Sequence, residues 1–193
     1  TATLARWPIA SMPPRSVPPA GWATGRRTTA FTASLLNNGT IENSGIIRVE
    51  PAENTTITYG LYMQGTAQNV AKFINKSGGE IHIDGTSTSG IFMQTNSLFS
   101  NEDKGKVVIG ENKTVGDEGV FNLGSVENKN GGEIYIYRFT SAGVYVGEGI
   151  PSFTNAGKVV ISGTGTSLYG VDNTGSFTNQ SGGEIYIDRK SVV

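Results

Sequence analysis

One phrase returns along this chain with small variations: Phe73-Ile-Asn75-Lys-Ser-Gly-Gly79-Glu-Ile-His-Ile83, Val126-Glu-Asn128-Lys-Asn-Gly-Gly132-Glu-Ile-Tyr-Ile136 and Phe177-Thr-Asn179-Gln-Ser-Gly-Gly183-Glu-Ile-Tyr-Ile187. Shorter relatives lie between them, Phe99-Ser-Asn101-Glu-Asp-Lys-Gly105-Lys-Val-Val-Ile109 and Phe153-Thr-Asn155-Ala-Gly157-Lys-Val-Val-Ile161, so the unit recurs roughly every 26 residues. A unit this short cannot bury an apolar face by itself. It has to stack on copies of itself, which leads to a solenoid.

Each unit carries three strand-like segments separated by Gly or Asn. The first alternates strictly, with Ile81 and Ile83, Val107 and Ile109, Ile134 and Ile136, Val159 and Ile161, and Ile185 and Ile187 two apart, as one-faced strands do. The second joins glycine, an aliphatic and an aromatic: Gly60-Leu61-Tyr62, Gly90-Ile91-Phe92, Gly119-Val120-Phe121, Gly143-Val144-Tyr145 and a degenerate Gly170-Val171-Asp172. The third centres on Phe73, Phe99, Val126, Phe153 and Phe177, each followed two residues later by Asn. Three short strands per turn predict an all-β parallel β-helix of about six coils over residues 31–187, with like positions stacked ~4.8 Å apart.

Composition agrees with that fold. The 193 residues include 27 Gly but only 36% hydrophobic side chains, lean for a globule and ample for coils that bury a few residues each. Cysteine is absent, which excludes a disulfide framework and thiolate metal sites. The net charge of -1 hides an asymmetry: Arg6, Arg15, Arg26 and Arg27 stand in a leader without acids, so the repeats are acidic and a poor match for nucleic acid. No apolar run is long enough to span a bilayer, so direct membrane insertion is not expected.

The two ends read differently from the middle. Residues 1–30 hold Pro8, Pro13, Pro14, Pro18 and Pro19, both tryptophans and no periodicity, an irregular leader or a non-native start. At the other end, Asp188-Arg-Lys-Ser-Val-Val193 resembles a translated short-read sequencing adapter, so residues 188–193 are read as a tail and the solenoid as truncated in mid-coil.

Stacking turns repeated positions into columns. Phe73, Phe99, Phe153 and Phe177 are expected inside, and the asparagines from Asn43 to Asn179 at corners, through left-handed backbone or through amide hydrogen bonds from coil to coil. Outside, Glu80, Lys106, Glu133, Lys158 and Glu184 alternate in sign, which replaces like-charge neighbours by opposite ones. The next outward column reads His82, Val108, Tyr135, Val160 and Tyr186, placing a ring on every second coil, roughly 10 Å apart. That spacing suits a polymeric glycan or another protein wall, and His82, Tyr135 and Tyr186 are the candidate ligand contacts. β-Propensity alone also favours Tyr and Val there. Tyr62, Phe92, Phe121 and Tyr145 form a second aromatic column whose direction is open: outward by alternation, or packed under a loop.

No catalytic, cofactor or metal set emerges. His82 is the only histidine, which excludes multi-histidine zinc sites, and Asp84, Asp103, Asp117 and Asp172 occupy different positions in their coils. Gly163-Thr-Gly165-Thr resembles half of a phosphate loop but precedes no helical pattern.

The Phe-x-Asn-x-x-Gly-Gly-Glu-Ile-x-Ile phrase, with Gly-Val-Tyr and Phe-Thr-Asn, resembles the strand repeats of large bacterial surface proteins: the β-helical passengers of autotransporters, filamentous haemagglutinin-like adhesins and repeat-rich secreted proteins of gliding bacteria. The likeness implies right-handed coils, a secreted or cell-surface location, and a non-enzymatic structural or adhesive wall whose partners are glycans or host and cell-surface proteins. Pectate lyases and polygalacturonases use the same general fold, so a fragment of a polysaccharide lyase or hydrolase whose catalytic coils are missing is the alternative.

Overall fold

The computed structural model describes residues 28–164 and 169–190. The Pro-rich leader as far as residue 27 and the tail from residue 191 lie outside the described residues. The described residues form three parallel sheets and no helix.

Sheet A stacks β1 (Thr28–Phe31), β4 (Ile46–Val49), β7 (Glu80–Ile83), β10 (Lys106–Ile109), β13 (Glu133–Ile136), β16 (Lys158–Thr164) and β19 (Glu184–Lys190). Sheet B stacks β2 (Leu35–Asn37), β5 (Ile57–Met63), β8 (Thr86–Met93), β11 (Glu118–Asn122), β14 (Ala142–Val146) and β17 (Tyr169–Asn173). Sheet C stacks β3 (Thr40–Asn43), β6 (Ala71–Asn75), β9 (Ser97–Asn101), β12 (Ser125–Asn128), β15 (Ser152–Asn155) and β18 (Ser176–Asn179). After β1 the chain visits B, C and A in turn, so each coil adds one strand to every sheet. This is the parallel β-helix of about six three-stranded coils. Strand pairing begins at Thr28 and continues through Lys190, which lies opposite Thr164.

Register makes the core. Ile81, Val107, Ile134, Val159 and Ile185 form one inward row of sheet A. All are buried except Ile185, which packs against the core from the last coil. On sheet C, Phe73 and Phe99 stack with centroids 5.5 Å apart, and Phe153 and Phe177 at 4.9 Å. Val126 fills the row between these two ring pairs. Like side chains on successive rungs stack at the strand spacing, which is how a solenoid with few apolar residues builds a core.

The corner between sheets C and A rests on an amide ladder. Asn43 donates from Nδ2 to Asn75 Oδ1, Asn75 to Asn101, Asn101 to Asn128, Asn128 to Asn155 and Asn155 to Asn179, each at 2.8 Å. The second amide hydrogen reaches a carbonyl at the same corner, as from Asn101 to Gly105 O at 3.0 Å. The left-handed role considered for these asparagines is not the one they play: Asn54, Asn96 and Lys104 are the described non-glycine residues with positive φ, and none belongs to the ladder. At the four longer corners the residue one place before the last glycine is left-handed: Gly78, Gly131 and Gly182, and Lys104 with φ 55°.

Two glycine columns follow from close approach rather than from φ. A Cβ at Gly105 or Gly132 would collide with the ladder amides. On sheet B, a Cβ at Gly60, Gly90, Gly119, Gly143 or Gly170 would run into the inward isoleucine of sheet A, namely Ile83, Ile109, Ile136, Ile161 or Ile187. The glycine of the Gly-aliphatic-aromatic element therefore makes room for a neighbouring sheet.

Candidate functional site: the outer faces of sheets A and B

On sheet A the register brings Arg48, His82, Val108, Tyr135, Val160 and Tyr186 into one outward column. The three candidate contacts therefore share a face. Their surroundings differ. Tyr186 is 52% exposed, Tyr135 is half-buried and the His82 side chain is only 14% exposed. Val108, between the last two, is buried although it points outward.

Glu80, Lys106, Glu133, Lys158 and Glu184 form the adjoining column, in register. The charged tips engage the rings. Lys106 Nζ lies 5.4 Å from the centre of the Tyr135 ring, and Lys158 Nζ lies 5.8 Å from Tyr135 and 5.7 Å from Tyr186. The tyrosines donate their hydroxyls to the carboxylate two residues back, Tyr135 to Glu133 and Tyr186 to Glu184, both at 3.1 Å. Sign alternation thus provides a cation for the rings of Tyr135 and Tyr186 and a carboxylate for each of their hydroxyls. Lysine–glutamate ion pairs also stand away from this column, Lys76 with Glu42 at 3.1 Å and Lys113 with Glu50 at 2.7 Å.

Burial, with the hydrogen bond to Glu133 second, pushes the Tyr135 hydroxyl up to about 12. Tyr137 stacks beside it at 6.1 Å and is also raised, chiefly by burial. His82 sits between two carboxylates, Nε2 at 3.4 Å from Glu80 and Nδ1 at 3.7 Å from Glu111. Sequence reasoning missed Tyr137 and Glu111 because both lie in corner segments, where the repeat breaks down.

On sheet B the open question of direction is decided. Leu61, Ile91, Val120 and Val144 are buried, while Tyr62, Phe92, Phe121 and Tyr145 are half-buried on the outer face. Phe92 and Phe121 stack at 4.8 Å with planes 6° apart, Phe121 and Tyr145 at 4.7 Å, and Tyr62 and Phe92 at 5.5 Å. Tyr59, which the sequence pattern did not include, joins at 4.5 Å from Phe92. It reaches the outer face because Gly60 and Leu61 both turn inward.

The buried carboxylates differ in use. Asp84 accepts from the backbone N–H of Asn112 and Lys113 at 3.0 and 3.2 Å and from the Asn112 amide at 3.1 Å, which ties down the corner before β11. Glu118 is half-buried, takes a 2.9 Å hydrogen bond from Ser89 Oγ, and is raised by burial and by the charges of Asp117 and Asp172. Among the described residues no three His, Asp or Glu side chains converge on a metal position, and no helix is long and apolar enough to cross a membrane. The chain matches no family model, no curated protein and no solved structure.

Proposed function

We propose that this chain is a non-enzymatic structural and adhesive repeat region of a bacterial secreted or cell-surface protein, and that it meets a glycan or a host or cell-surface protein through the outer face of sheet A. The observation that carries the reading is the column of His82, Tyr135 and Tyr186, held in register and set among alternating Glu and Lys side chains. The contacts of each tyrosine with lysine at the ring and glutamate at the hydroxyl favour one rotamer before binding, which lowers the side-chain entropy lost on contact. The faces of Tyr135 are shared with two lysines, so a partner meets ring edges flanked by ammonium and carboxylate groups. The surface location rests on the resemblance of the repeats. Screening the intact chain against a glycan array and matrix proteins, beside a Tyr135→Ala, Tyr186→Ala variant, tests the reading. Loss of binding in the variant is expected, and unchanged binding removes this column from the site.

A second reading has one observation in its favour. Glu118, half-buried and raised, lies within electrostatic reach of Asp117 and Asp172, a carboxylate group of the kind that a fragment of a polysaccharide lyase or hydrolase would carry. Turnover of any polysaccharide by the chain, abolished in Glu118→Gln, would replace the non-enzymatic reading with this one.

A further inference from the structure

The aromatic column of sheet B lies on a different face from the proposed contact site and has its own chemistry. Its ring centres are one strand spacing apart, 4.7 and 4.8 Å for the three innermost, while stacked carbon surfaces touch at about 3.5 Å. Near-parallel rings meet both conditions only by tilting, so each shows a strip of its face, and the strips align into a furrow along the solenoid axis. Steps of 4.8 and 4.7 Å from Phe92 to Tyr145 carry that furrow about 10 Å across three coils, and Tyr62, tilted 45° to Phe92, stands with Tyr59 at its other end.

The furrow has a sign and a direction. No strand of sheet B carries Lys or Arg. Asp172 stands next after Tyr145 in the same column, and Asp117 and Asp172 act together on Glu118. An occupant has to be thin, because only strips of ring are offered. It has to be flat, to lie on them, and long enough to cross three coils. It gains most with positive charge at the Asp172 end. A peptide added by backbone pairing needs a free sheet edge, which this face does not present.

We propose that the furrow binds elongated, flat aromatic cations along the solenoid axis, with the apolar part on Phe92 and Phe121 and the cationic end at Asp172. Thioflavin T is a suitable probe, since its fluorescence rises when rotation between its two ring systems is blocked. The intact chain is expected to raise that fluorescence at least tenfold and saturably, with the signal sedimenting as monomer. Phe92→Thr with Phe121→Thr, which keeps strand formers in place, should lower the signal about tenfold. Asp172→Asn should weaken dye affinity about threefold and flatten its salt dependence, whereas Tyr135→Ala with Tyr186→Ala should leave it unchanged. No enhancement by monomer, a signal confined to aggregates, or a signal unchanged in a natively folded Phe92→Thr, Phe121→Thr variant overturns the proposal. If that variant loses its far-ultraviolet circular dichroism, Asp172→Asn decides, and unaltered affinity and salt dependence overturn it.

Discussion

Replacing Asn101 by Ala strikes the amide ladder at its centre. Asn101 is fully buried, and its side chain donates to Asn128 Oδ1 at 2.8 Å, Gly105 O at 3.0 Å and Glu133 O at 3.2 Å while accepting from Asn75 Nδ2 at 2.8 Å. Gly105 O keeps the backbone N–H of Glu133, and Asn75 Nδ2 keeps Gly79 O. Asn128 Oδ1 is left with no donor in a site closed to water. An orphaned buried acceptor costs about 1 to 3 kcal/mol and the remaining lost bonds about 1 more, so the variant should lose roughly 2 to 4 kcal/mol. The end of the ladder supplies the control. Asn179 is exposed, water can replace its contacts, and Asn155 keeps two carbonyl partners at 3.1 Å, so Asn179→Ala should cost under about 1 kcal/mol. Urea unfolding followed by circular dichroism compares the two directly. An Asn101→Ala variant no less stable than Asn179→Ala would refute the claim that the ladder holds this corner.

Lys104→Gly should stabilise the fold by about 0.5 to 1 kcal/mol in the same unfolding assay, because it relieves a left-handed lysine where three other corners use glycine. Gly119→Ala should cost about 1 to 3 kcal/mol or more, since its Cβ would strike Ile136 and lie 2.7 Å from Gly143 O, and pairing it with Ile136→Ala should recover part of the loss. Phe153→Ala, emptying a fully buried rung, should cost roughly 3 to 5 kcal/mol. In a spectrophotometric titration Tyr135 should ionise near 12. Its folded value lies above the unfolded one near 10, so its contribution to stability is complete below pH 10 and fades as pH rises from about 10 to 12.

Most of the wall was legible in advance because its determinants are local and repeated. Period-two alternation assigns the inward isoleucines, and equal spacing assigns the columns. What escaped lies where the period fails or where two sheets meet. The sheet B glycines recur in the sequence without a visible reason, which appears only when Ile83, Ile109 and their successors are placed against them. The ring contacts of the sheet A lysines were not foreseen because a one-letter column shows sign but not reach, and a lysine spans one strand spacing easily enough to rest on the next ring. Asp84 binds a corner 28 residues away, a contact with no trace in the repeat.

Every column described here depends on in-register stacking, and a chain without cysteine allows that to be tested without background. Glu127 and Thr154 are register partners pointing outward from sheet C, whereas Asn155, one residue further on, points inward. Cysteines at Glu127 and Thr154 would have Cα atoms about 4.8 Å apart, within disulfide reach. Mild oxidation of the folded double variant should close that bridge nearly completely and leave a Glu127→Cys, Asn155→Cys pair open, read by thiol counting and mass spectrometry. Equal closure of both pairs, or closure of the offset pair alone, would contradict the register on which the fold and both proposed surfaces rest.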